Sequence, residues 1–320
     1  MLQRISLSLA LLLFFSAALV QAQTPASASN YFDHGTRRYQ KGDLNGAIED
    51  FTRAIEISSR LGPTKLVRGN SMRGASGFSD SDSVSEASSI TVIDPLTAHA
   101  LTSRGLARFD KGDIDGALAD WERAIRINPG LAVAYLDRGG ARYAKGDAPG
   151  ALADWTRAIQ INPRLAEAYC NRGGLRQKLG DLEGAFADLE KSIALDHHDA
   201  RAYCRRGYAW IEKRDFGRAI ADFNTAIELN PRLAWTFQGR GTARLSKYDL
   251  EAAIADFDRA LQLDPKLVDA YVDRGLALLL QSKETEAAKD FERALAIDPS
   301  LKEEVDKRIK AANELRNMKR

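Results

Sequence analysis

The chain has 320 residues, 44% of them hydrophobic and 28% charged, the composition of a folded soluble protein. Its 46 lysines and arginines nearly balance 44 aspartates and glutamates, leaving a net charge of +2. That balance excludes a dedicated binder of nucleic acid or of an anionic membrane, which needs a large basic excess on one face.

Met1–Arg4 carries one positive charge, and Ile5–Val20 is free of charge. Val20-Gln21-Ala22 then presents the residue sizes a signal peptidase reads. This predicts a signal peptide over 1–22, cleaved after Ala22, and a periplasmic or secreted protein. The apolar run is shorter than the ~20 residues that span a bilayer. An uncleaved N-terminal anchor is the alternative, and the one route by which a membrane enters the reading. Residues 23–27 are small and polar and read as a flexible leader.

The rest is periodic. Gly105, Gly139, Gly173, Gly207, Gly241 and Gly275 follow one another at intervals of 34 residues. A fixed period of this size signals a stacked array of small units. In the unit that starts at Ala132, Ala134, Tyr135, Gly139 and Arg142 recur at helical spacing, and so do Ala151, Trp155, Ala158 and Ile159. Between them Lys145-Gly146-Asp147 stops one helix and caps the next, and Asn162-Pro163 ends the second. Each unit is therefore two antiparallel helices.

Alongside the glycine run a bulky position (Tyr31, Leu101, Tyr135, Tyr169, Tyr203, Phe237, Tyr271) and a second-helix position (Phe51, Trp121, Trp155, Leu189, Phe223, Phe257, Phe291). With Ala47 and its equivalents and a closing Pro129, Pro163, Pro231, Pro265 or Pro299, this pattern resembles the tetratricopeptide repeat. The departures are Ser59 and His197 for proline, Leu189 for the ring and Ser192 for alanine. The resemblance implies an all-α fold, a right-handed superhelical solenoid of seven helix-turn-helix repeats. They fall at 28–57, 98–131, 132–165, 166–199, 200–233, 234–267 and 268–300. A Ser/Gly-rich insertion over 58–92 interrupts them and reads as a disordered surface loop. Residues 301–320, with Leu301, Val305, Ile309, Ala312 and Leu315 on one face, read as a capping helix over the open end.

No phosphate loop, zinc spacing or nucleophile elbow is present, so no catalytic residue, metal site or cofactor is expected. Cys170 and Cys204 stand at equivalent places in adjacent repeats. Neighbouring helices are about 8–10 Å apart, beyond the ~7 Å reach of a disulfide, so two partly buried thiols are expected. His197-His198 reads as a solvated turn, since adjacent histidines seldom converge on one metal. One polar series is regular: an arginine precedes each glycine from Arg104 to Arg274, and an aspartate precedes each second-helix ring position. These predict a ladder of ion pairs within or between repeats.

In the family that the chain resembles, the first helices line a concave groove that holds the bound segment. Carried over by position, the groove is Tyr39, Phe109, Leu136, Tyr143, Cys170, Gln177, Cys204, Tyr208, Ile211, Trp235, Gln238, Leu245 and Val272. Leu276 and Leu279 belong either to it or to the contact with the terminal helix. The expected function is a non-enzymatic scaffold or adaptor of the bacterial periplasm or cell envelope. It would bind protein partners through extended or helical apolar segments. A membrane-anchored envelope assembly factor is one alternative. A thiol- or metal-dependent protein using Cys170/Cys204 or His197/His198 is another.

Overall fold

The structure, a computed structural model, describes residues 27–60 and 95–318. The signal peptide, most of the leader and nearly all of the insertion lie outside the described residues.

The described residues form helices and no strand. They pair as α1 (Ala28–Gln40) with α2 (Leu44–Arg60), α3 (Pro95–Asp110) with α4 (Ile114–Ile127), and α5 (Ala132–Ala144) with α6 (Ala148–Ile161). Then come α7 (Ala166–Lys178) with α8 (Leu182–Leu195), and α9 (Ala200–Glu212) with α10 (Phe216–Leu229). The series continues with α11 (Ala234–Ser246) and α12 (Leu250–Leu263), then α13 (Val268–Leu280) and α14 (Glu284–Ile297). A short 3-10 turn leads into α15 (Lys302–Met318). α2 runs to Arg60, past the expected limit of the first repeat, and Ser58 is buried there as acceptor for the Thr97 hydroxyl at 2.8 Å. The chain divides into two compact units, up to Ile161 and from Asn162.

Local chemistry sets these elements. The turn inside each pair has one residue at positive φ: Gly42, Gly112, Gly146 and Gly180, then Arg214, Tyr248 and Ser282 at the same place in the later repeats. In five of the turns the aspartate next to it caps the following helix, as when Asp113 Oδ1 accepts from the Gly116 N–H at 3.0 Å; Asp249 makes no such bond, and Lys283 takes the place in the last turn. Between repeats an Asn or Asp side chain folds back on the chain. Asp196 does so before His197, so the turn survives the loss of proline there.

Each pair closes on an interval of 16 residues. A Cβ on Gly139 would lie 2.6 Å from Trp155 Nε1, and one on Gly275 2.6 Å from Phe291 Cε1. The glycine thus lets the second-helix ring sit against the first-helix backbone. Trp121 and Trp155 also donate from Nε1 to the carbonyls of Thr102 and Leu136, each at 3.2 Å.

The charged ladder uses the same interval. Arg104, Arg138, Arg172, Arg206, Arg240 and Arg274 each hold the aspartate sixteen residues on, through Nε and Nη2, at 2.6–3.0 Å. Within the pairs, Arg108, Arg142, Arg176 and Arg244 add a second guanidinium to the same carboxylates at 2.7–2.9 Å. Between repeats, the Nη1 atoms of Arg104, Arg240 and Arg274 reach back to Thr52, Asn224 and Asp258. The bulky first-helix ring carries the guanidinium from the other side in five repeats, as Tyr135 does for Arg138 at 5.5 Å.

The terminal helix keeps the repeat register. Val305, Arg308 and Ile309 stand 34 residues after Tyr271, Arg274 and Gly275. Val305 and Ala312 are buried with Val272, Leu276 and Leu279. This places Leu276 and Leu279 in the contact with α15. Ile309, partly buried in the same cluster, occupies the place that glycine holds in every earlier repeat.

Candidate binding face of the first helices

In the first unit, the Tyr39 hydroxyl donates to Asp110 Oδ2 at 2.5 Å, and burial, then Asp110, push its pKa up to about 12. Phe109 and Tyr143 rest at 6.1 Å on Trp121 and Trp155, and Tyr143 is 37% exposed. Both are rigid rings braced from below. Leu136 is buried and is not available to a partner.

In the second unit, Cys170, Cys204 and Val272 are also buried and must be withdrawn from the lining. Their positions face the seam between successive first helices, where only small or apolar groups fit. Burial pushes the Cys170 thiol up to about 11 and the Cys204 thiol higher still, so neither supplies a thiolate at neutral pH. Gln177, Tyr208, Ile211, Trp235, Gln238 and Leu245 are half-buried and stay on the face. Gln177 Nε2 donates to Glu212 at 2.7 Å.

A polar chain ties this face together. The Tyr208 hydroxyl lies 2.6 Å from the Trp235 carbonyl and 2.5 Å from Gln238 Oε1, sharing its proton between them. Its ring stacks beside Trp235 at 6.5 Å and stands edge-on to Phe223 at 5.2 Å. Gln238 Nε2 and the Thr242 hydroxyl both donate to buried Asp273, which also takes Arg308 from α15. Four helices, α9, α11, α13 and α15, thus fix one another through side chains. Positional carry-over missed this chain because it needs Asp273 and Arg308 together; an acid on the last repeat and a base 35 residues on was the available signal.

Next to it, burial and then Asp273 raise the Asp269 carboxyl, against the pull of Arg308. The folded state therefore holds this proton longer than the unfolded chain does. Stability from Asp269 falls as pH rises from the ordinary carboxylate range through the raised folded value. Asp269→Asn is expected to stabilise the fold at pH 7 by less than about 1 kcal/mol, a small rise in melting temperature, because the residue is only partly withdrawn from water and its charge is screened. The gain should vanish at pH 3, where both states are protonated; thermal melts at the two pH values test this.

Leu276 and Leu280 of α13, Leu245 and Tyr248, and Arg308 and Leu315 of α15 border a cleft of 350 Å³. The ring centroids of His197 and His198 are 4.0 Å apart, and both side chains are exposed. Among the described residues no group of three or more His, Cys, Asp or Glu side chains converges as a metal would require.

Family models described as TPR repeat match residues 105–146 and 139–180, and models described as tetratricopeptide repeat match 166–198, 200–233 and 239–301. No curated protein matches the chain in sequence. Among solved structures, the chain is similar to a tetratricopeptide repeat protein from Parabacteroides merdae, at 21% identity and TM-score 0.58, over 89% of this chain and 98% of that one. It is similar to the APC/C hetero-tetramer Cut9-Hcn1 at 17% identity and TM-score 0.62, over 84% of this chain and 55% of that one. Pseudomonas aeruginosa pilF matches at 16% identity and TM-score 0.56, over 63% and 92%. At these identities the likeness extends to the fold alone.

Proposed function

The chain belongs to the tetratricopeptide-repeat family, and from that premise we propose a non-enzymatic scaffold or adaptor that binds protein segments on the first-helix face. The observation that carries the reading is the braced pair Tyr208 and Trp235. Both rings are half-buried, fixed by hydrogen bonding and stacking, and flanked by Ile211 and Gln238. Preorganised aromatic side chains with a polar neighbour are what interface hot spots are made of, because little entropy is lost when a partner docks. An apolar segment, extended or helical, suits them.

The N-terminal sequence supports a place in the periplasm or cell envelope. An anchored assembly factor is the second reading, favoured if the apolar N-terminal run is retained. Crosslinking mass spectrometry on protein captured from its native envelope tests both. One recurrent partner is expected, crosslinked near Tyr208 and Trp235 and lost with Trp235→Ala. Crosslinks within the protein alone would refute the adaptor. The same spectra identify the N-terminal residue: Gln23 supports export with cleavage, and Met1 the anchor.

A further inference from the structure

We infer that Arg205 is the anchor for an acidic side chain within the bound segment, an assignment that rests on the binding face proposed above. Arg205 is half-buried on α9, and among the described residues it has no ion pair and no hydrogen bond; its Nε is fully enclosed without a partner. The other half-buried arginines nearby are compensated. Arg172 and Arg206 hold Asp188 and Asp222, and Arg308 holds Asp273. Even exposed Arg201, one helical turn away, is held by Asp199 and Glu167. A guanidinium partly withdrawn from water with no counter-charge is a standing cost to the fold.

The site is built around that cation. The guanidinium lies across the α7 backbone at Gly174, where a methyl group would collide with Nη1. The buried thiols of Cys170 and Cys204 are close enough to feel its charge, and burial keeps both neutral. Gly174 thus provides the room, and no neighbouring side chain provides the anion.

A carboxylate matches what is missing: one negative charge and two coplanar oxygens for a planar fork of donors. Glu167, Asp199 and Glu212 on neighbouring positions disfavour a doubly charged phosphate. The proposed face is carried in turn by Gln177 on α7, Arg205 and Tyr208 on α9, and Trp235 on α11. A segment that reaches the rings therefore passes the arginine instead of ending there. The carboxylate is accordingly assigned to an internal Asp or Glu, flanked by apolar residues that meet Tyr208 and Trp235.

The test uses the full chain and an array of ten-residue peptides, acetylated and amidated, with alternating apolar residues and one central Glu. Matched peptides carry Gln or Lys at that place, and one Gln peptide has a free C-terminal acid. The Glu peptide is expected to bind roughly tenfold more tightly than its Gln twin, as for one charge-assisted pair. Arg205→Gln should bring that ratio to about one while binding of the Gln peptide persists. Gly174→Ala should do the same by displacing the guanidinium without removing its charge, so the outcome does not hang on one variant's fold. A wild-type ratio near one, or a preference that survives both substitutions, overturns the anchor alone. Equal gain from the free-acid Gln peptide overturns the assignment to an internal side chain. Binding of no peptide by folded protein overturns the binding face and the anchor with it.

Discussion

Asp120→Ala is expected to destabilise the first unit by about 3–5 kcal/mol, the cost of breaking a buried ion pair from one side. Asp120 is 3% exposed and accepts from Arg104 Nε at 2.8 Å, from Arg104 Nη2 at 2.6 Å and from Arg108 Nη1 at 2.8 Å. Truncation leaves buried Arg104 with only the Thr52 hydroxyl, and half-buried Arg108 with the Gly116 carbonyl and the more distant Asp113 carboxylate at 3.7 Å. Asp115→Ala is the control. Its pair with Lys145 lies in solvent and contributes under about 1 kcal/mol. Urea unfolding of the two variants separates them; equal midpoints would mean that the ladder adds no more than a surface contact.

Phe223→Ala is expected to cost the second unit about 3–5 kcal/mol, a transfer loss plus a cavity. The ring is fully buried against two backbones. A Cβ on Gly207 of its own repeat would lie 2.8 Å from Phe223 Cε1, and a Cβ on Gly239 of the next would also collide with the ring. Its removal leaves both helices without a filler, and Tyr208 loses its edge-on support. Partner binding should therefore weaken at temperatures where the variant is still folded. Phe223→Leu should cost much less, because Leu189 already fills the equivalent space against Gly173. The measurements are thermal unfolding and, at 25 °C, binding of the captured partner. A Phe223→Ala midpoint no lower than that of Phe223→Leu would remove the ring from the core.

The repeat was legible because its physics is local and recurrent. The interval between Gly139 and Trp155 is the end of one helix, one turn and the first half of the next, and it returns unchanged at Gly275 and Phe291. The arginine–aspartate series was legible for the same reason. The second guanidinium on four of these aspartates was written as plainly, at Arg108 or Arg244, but Trp210 and Leu278 break its series. The binding face was only half legible. Position on a helix says which way a side chain leaves the backbone, and not what the neighbouring helix brings up to meet it. Cys170 and Cys204 left in the expected direction and were covered; Arg205 found open room because Gly174 has no side chain.

The place of Ile309 bears on assembly. Up to Gly275, each first helix leaves a slot that a ring, or Leu189 in one repeat, enters from the following helix; in α15 a branched side chain, Ile309, stands where that glycine would be. Glu303, Glu304, Lys307 and Lys310 stand exposed on the same helix. A further second helix, from another copy or another array, meets no such slot there and a coat of mixed charge. Head-to-tail stacking is the kind of contact that runs on into open filaments when it does not close into a ring. At this end of the second unit, the slot that each earlier repeat offers its second helix is absent.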